Sequence, residues 1–283
     1  MTAATRGPAP HPPADAGDVR LPLPRRGRWD GQARRAPAFP PLGGLLPLGA
    51  LLLAWELRGS QGSPYFPPPS TWADGVGALW TSGRLWPAAL QTLSTFAVAL
   101  AVATLLGALL GLLLGASAKA DRAFGPTLEF LRAMPPAAIV PVAALLLGYG
   151  ATMKAAVVTL AAIWPVLLST RSGVRAIDPV LLDMARSLRL SPVQRARHCV
   201  GPALLPSFFL GVRVAAPVAL VITLLVEIVT RIDGIGALIA TAQRSYLSGQ
   251  VYGLILVAGL FSFLVNGLVS MAQAYAFRNR PHR

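Results

Sequence analysis

Lysine is nearly absent from this chain. It has two, Lys119 and Lys154, preceded by Ala118 and Met153. A phosphate-binding Walker A loop needs Gly-Lys-Ser/Thr, so the chain cannot be its own P-loop ATPase. Cysteine occurs once, as Cys199, which excludes an intrachain disulfide and any metal site built on cysteines. The three histidines, His11, His198 and His282, are scattered in no metal-binding spacing and have no scaffold for Ser-His-Asp catalysis. No catalytic, cofactor or metal residue is therefore expected. Charge is scarce as well, at 13% of 283 residues, where a soluble domain has about a quarter. A large soluble core does not account for this, because the apolar residues come in long uncharged runs. Runs of about 18 or more read as membrane helices, since ~20 residues cross the ~30 Å hydrocarbon layer.

What is present is apolar and basic: 54% hydrophobic residues and a formal charge of +14. Residues 1–38 are rich in Pro, Ala and Arg without apolar periodicity, and are expected as a disordered cytoplasmic tail. Six apolar segments follow, at Phe39–Leu57, Ala88–Leu114, Leu128–Tyr149, Met153–Thr170, Phe208–Thr230 and Val251–Ala276. They predict an all-α membrane protein with six transmembrane helices over 39–283. Gly107, Gly111 and Gly115 strip one face of the second segment, a pattern that lets a neighbouring helix approach closely.

The basic residues choose an orientation. With the N-terminus inside, the cytoplasmic segments hold most of the arginines, Lys119 included. The outer segments hold only Arg58, Arg84, Arg231 and Arg244. Both termini are then cytoplasmic, and Trp55, Trp72, Trp80 and Trp86 gather at the outer face as an aromatic belt. Arg132, Lys154 and Arg213 sit near helix ends, where long side chains snorkel to the interface. Glu227 is the clear acid within a late segment. It is expected at the outer end, paired with Arg231 one turn on, and Glu129 beside Arg132 reads as a structural ion pair.

One cytoplasmic stretch is unlike the rest: "IDPVLLDMARSLRLSPVQRARHCVGPALLP", residues 177–206. Asp178 before Pro179 is a helix start, with an acceptor at the N-cap and proline at the first helical position. Leu181, Ala185 and Leu188 fall on one face, while Asp183, Arg186 and Arg189 point elsewhere. Ser191-Pro192-Val193-Gln194 is a second start with a capping box. Two short helices are expected to meet at a bend near Ser191. An amphipathic helix in a cytoplasmic loop suits docking into a partner's groove.

This stretch resembles the cytoplasmic EAA loop of ABC-importer inner-membrane permeases, in the nitrate/sulfonate/taurine branch of the binding-protein-dependent type. The family run Glu-Ala-Ala-Arg-Thr-Leu-Gly corresponds here to Asp183-Met184-Ala185-Arg186-Ser187-Leu188-Arg189, and the later Leu-Pro to Gly201-Pro202. "FLRAMPPAAIVPV", "GYGATMK" and "DGIGALI" are similar to other parts of the family pattern, and residues 1–38 alone have no counterpart. The resemblance implies a MetI-like ABC importer permease fold with a coupling helix between helices 4 and 5, in a loop spanning 171–206. It implies ATPase contact through Leu181, Asp183, Ala185, Arg186, Ser187, Leu188, Arg189 and Ser191. The chain would be a non-catalytic translocation subunit in a bacterial inner membrane, passing a small solute such as a sulfonate, taurine or nitrate inward. Its partners would be a cytoplasmic ATPase dimer, an extracytoplasmic binding protein and a second copy of itself. Asp183, Arg189, Gly201 and Thr95 depart from the pattern. If the family glycine permits a tight bend, an arginine at 189 demands a different backbone or a remodelled partner surface. The alternatives are a secondary transporter or channel working without an ATPase, and a membrane-embedded enzyme.

Overall fold

The computed structural model describes residues 46–277, apart from Gln61 and Pro64, and these residues are helical almost throughout. The expected tail, 1–38, and the beginning of the first apolar segment lie outside the described residues. Helix α1 covers Leu46–Arg58 and α2 covers Ser70–Thr81. The long helix α3 runs Leu85–Ala116, followed by α4 at Ala118–Ala133, α5 at Pro136–Leu147 and α6 at Ala151–Arg175. Then come two short helices, α7 at Pro179–Ser187 and α8 at Pro192–Arg195, and a π-helical turn at Ala196–Val200. Helices α9 (Gly201–Thr230), α10 (Ile235–Arg244) and α11 (Ser248–Phe277) complete the chain.

Among the described residues, four helical stretches are long and apolar enough to cross a membrane: α3, α6, the continuous run Pro192–Thr230, and α11. Four of the six expected spans are therefore present as single helices, and a fifth if the bent pair below counts as one. The segment expected as one helix over 128–149 is instead α4 and α5, bent by 97°. The cause is Pro135-Pro136: Met134 and Pro135 are both extended, with ψ of 126° and 125°, because a residue before proline is pushed out of the helical region. Of the first segment, the described residues include the 13 of α1, roughly 20 Å of helix at 1.5 Å per residue, which by themselves are too short to span.

Helices α3 and α6 run parallel. Near their starts Thr92 and Lys154 meet the same carboxylate, and near their ends Gly115 packs on Val174 and Arg171. The bent α4–α5 pair therefore carries the chain back from one end of the bundle to the other. Small residues allow the long helices to touch. A Cβ on Gly107 would lie 2.9 Å from the Ile163 carbonyl oxygen, one on Gly111 2.7 Å from that of Leu167, and one on Gly115 2.6 Å from Val174. Antiparallel α9 meets α6 in the same way, through Gly211 against Val166 and Gly173 against Ser207. Between them Ala99, Ala103, Ala162, Ala215, Ala216 and Ala219 are buried with Phe96 and Leu220. Without water to drive helices together, such close backbone packing is the main source of cohesion in a membrane.

The ends of the bundle are tied differently. At one end Asp121 of α4 pairs with both Arg171 and Arg175 of α6, joining α4 to the exit of α6. At the other, Trp55, Phe66, Trp72 and Tyr252 form an aromatic cluster, with Trp55 stacked on Phe66 at 4.7 Å and Trp72 on Tyr252 at 5.4 Å. Trp80 and Trp86 stay exposed at that same end.

Candidate functional site

The stretch between α6 and α9 is built by caps. The Asp178 carboxylate accepts from the Val180 N–H at 2.8 Å and Pro179 opens α7. The helix stops at Ser187 in a pair of C-terminal hydrogen bonds: Leu190 N–H donates to the Ala185 carbonyl at 3.1 Å and Arg189 N–H to that of Arg186 at 2.9 Å. That closure puts Arg189 in the left-handed region at φ 51°. Of the two expected alternatives, a different backbone or a remodelled partner surface, the first does not hold, since Arg189 takes the left-handed conformation that favours glycine. The strain is of the order of 1 kcal/mol. Ser191 then caps α8: its hydroxyl accepts from Gln194 N–H at 3.3 Å, and Gln194 Oε1 accepts from Ser191 N–H at 2.9 Å.

The outward face of α7 also differs from expectation. Ala185 is buried within the chain and Leu181 half-buried, so these two turn toward the protein's own body. The exposed apolar residues are Val180, Met184 and Leu188, which follow one another at intervals of four, joined by Val193 on α8. Leu188, the C-cap of α7, is exposed with this line and not buried with Ala185. Asp183 and Arg186 are exposed and paired at 2.6 Å; Ser187, Arg189 and Ser191 are also exposed.

At the opposite end of the bundle lies a group the sequence did not reveal. Glu227 does not pair with Arg231, and Lys154 does not snorkel; both side chains are buried, at 0% and 1% exposure. Lys154 Nζ donates to Glu227 Oε1 at 3.3 Å and to the Asp233 carbonyl at 2.6 Å. Glu227 Oε2 accepts from the Thr92 hydroxyl at 2.8 Å and from the Gly236 N–H at 3.1 Å, while Thr92 Oγ1 accepts from Ile235 N–H at 2.9 Å. A Cβ on Gly234 would fall 2.1 Å from the Glu227 carboxyl carbon, so glycine is required for the turn to close over the acid. The cluster pins α3, α6, α9 and the start of α10 together. Arg231 instead caps α9 in the left-handed region at φ 56°, its N–H on the Glu227 carbonyl at 2.8 Å. Glu129 and Arg132 do form the expected ion pair, at 2.7 Å.

Two of the cavities at this end adjoin the cluster. One of about 680 Å³ lies between α3 and α6 and is apolar apart from Ser94, Thr95, Thr152 and Thr159. The other, about 560 Å³, lies over the α9–α10 turn. Among the described residues no group of histidines, cysteines and acids could hold a metal ion.

Long apolar helices joined backbone to backbone, with a capped polar element at one end and a buried charge cluster at the other, define a multi-pass helical membrane protein. Comparison with known proteins gives the class its family. The profile of the binding-protein-dependent transport system inner membrane component matches residues 103–280, and the chain belongs to this family. It is 30% identical over 258 residues to the bicarbonate transport system permease protein CmpB of Synechocystis, covering 86% of this chain and 90% of that one. It is 30% identical over 251 residues to the aliphatic sulfonates transport permease protein SsuC of Escherichia coli, covering 88% and 93%. The riboflavin transport system permease protein RibX of Chloroflexus aurantiacus is 32% identical over 244 residues, covering 85% and 91%. The chain is the membrane translocation subunit of an ABC importer, a permease and not a catalytic subunit.

Proposed function

We propose that this permease passes a small solute, a sulfonate, taurine, nitrate or similar nutrient, from an extracytoplasmic binding protein to the cytoplasm. A cytoplasmic ATPase dimer drives it by gripping the α7–α8 element. The observation that carries this reading is the exposed apolar line Val180, Met184 and Leu188 on a capped helix outside the long apolar spans. A solvated linker has no use for such a line, whereas a groove on a partner does. Leu181 and Ala185 hold α7 to the permease body from the other side. Asp183, Arg186, Ser187, Arg189 and Ser191 form the polar rim of the contact. One such element per chain, facing a two-fold ATPase, supports a homodimer.

The lopsided arginines support cytoplasmic termini and an outer location for the Lys154–Glu227 end. Six spans result if the first apolar segment of the sequence is counted as one and the bent α4–α5 pair as another. The relatives are named for bicarbonate, aliphatic sulfonates and riboflavin, two anions among the three, which supports a small anionic solute. The test is Leu188→Glu in the chain co-expressed with its ATPase. A charge desolvated without a partner costs several kcal/mol (about 2–5) of association. The variant is expected to reach the membrane at normal level yet lose both ATPase co-purification and ATP-dependent uptake. Retention of both would show that α7 is no coupling element.

A further inference from the structure

We infer that the cavity over the α9–α10 turn, flanked by Arg84 and Arg231, receives a small oxyanion on its way into the permease; this rests on the importer reading and on the orientation proposed with it. Arg84 comes from the start of α3 and Arg231 from the end of α9, yet both line the same space of about 560 Å³. That volume is within the range of small-molecule sites. Among the described residues neither guanidinium has an ion-pair or hydrogen-bond partner. The lining holds one acid, Asp233, so it keeps a net positive charge. Guanidinium forks match the paired oxygens of carboxylates, sulfonates, nitrate and bicarbonate, and Gln91 adds an amide donor to the same wall.

The site is held rigid from beneath. The turn that bears Arg231 is fixed by Lys154 on the Asp233 carbonyl and by Gly234 packed on the Glu227 carboxylate. Arg231 itself is locked in a left-handed backbone by the α9 cap, the kind of held conformation that recurs at ligand clamps. The buried pair below is internally neutral and leaves the field of the cavity to the two arginines. Farther along α3, Ser94 and Val98 continue the face of Gln91 at helical spacing and line the 680 Å³ cavity. The arginine cavity and the apolar one therefore follow one another along the same side of α3.

The experiment uses the assembled transporter in proteoliposomes, in a Cys199→Ala background, with Thr241→Cys in the cavity wall as reporter. Labelling rates are measured from the outer side with a sulfonate-bearing and a trimethylammonium-bearing methanethiosulfonate of similar size. Adding Arg84→Gln and Arg231→Gln is expected to lower the anion-to-cation rate ratio about tenfold. With the arginines present, taurine, nitrate or bicarbonate is expected to slow the anionic reagent, relative to chloride at equal ionic strength. An unchanged ratio, or no slowing by any of the three anions, overturns the proposal. Slowing that needs the binding protein and no added anion assigns the arginines to an acidic side chain of that protein, and also overturns it. Labelling by both reagents from the cytoplasmic side alone would instead refute the orientation, and the proposal with it.

Discussion

Removing either partner of the Lys154–Glu227 pair leaves the other as an uncompensated charge. Glu227→Gln preserves shape but leaves the Lys154 ammonium without a counter-charge, facing only neutral acceptors such as the Asp233 carbonyl at 2.6 Å. Lys154→Met leaves a buried carboxylate held by the Thr92 hydroxyl and the Gly236 N–H alone. Breaking one side of a buried pair costs about 3–5 kcal/mol, and at roughly 2–4 °C per kcal/mol for 150–250 residues the melting temperature should fall by about 6–20 °C. The double variant Lys154→Met/Glu227→Gln removes both charges and is expected to recover more than half of that loss. The exchanged pair Lys154→Glu/Glu227→Lys is expected not to recover. The surroundings are polar in a fixed sense, with a carbonyl facing position 154 and an N–H facing position 227. The assay is thermal unfolding of the detergent-purified permease, followed by size-exclusion chromatography of a fluorescent fusion. Single variants within about 1 kcal/mol of the parent, or an exchanged pair as stable as the parent, would refute the reasoning.

Three further outcomes follow from other contacts. Gly111→Leu should abolish the α3–α6 contact and sharply lower the yield of folded permease, since even a Cβ there meets the Leu167 carbonyl at 2.7 Å; the same change at Gly125, which has open space, should be tolerated at equal membrane level. Arg189→Gly should raise stability by about 1 kcal/mol by relieving the left-handed backbone, and Arg189→Val should lower it, both read as shifts in melting temperature. Single cysteines from Ser82→Cys and Ser187→Cys, in a Cys199→Ala background, should label from opposite sides with an impermeant thiol reagent in intact cells; labelling of the position 187 variant from outside would reverse the topology.

What the sequence disclosed was mostly local. The caps at Asp178 and Ser191 are legible because each needs only residues within three positions of itself, and the structure has both. Family membership was legible because the Asp183–Arg189 run keeps the family spacing. The outward face of α7 was not legible because which apolar line faces the protein's own body depends on long-range packing: Ala185 is buried there, while Val180, Met184 and Leu188 are exposed. The broken third segment was visible as Pro135-Pro136 but hidden by the apolar run around it. Lys154–Glu227 was out of reach: the residues stand 73 positions apart, and local reasoning offered Glu227 the nearer Arg231. A lysine this deep in a chain with one other lysine was the available signal.

The same separation has a consequence for biosynthesis. Helix α6 must enter the bilayer before the ribosome has made the acid that Lys154 will face. At roughly 5–20 residues per second, 73 residues take about 4–15 s. During that interval the ammonium has no partner, and a lysine at the centre of a membrane helix costs roughly 2.5–3.5 kcal/mol. Its place one turn from the start of α6 lets the side chain reach the headgroups and wait there. Burial of Lys154 is thus a late event, completed when α9 brings Glu227 and the following turn brings the Asp233 carbonyl. A nascent chain stalled before α9 would carry an unmatched charge at the membrane surface, a mark by which membrane proteases can tell an unfinished permease from a finished one.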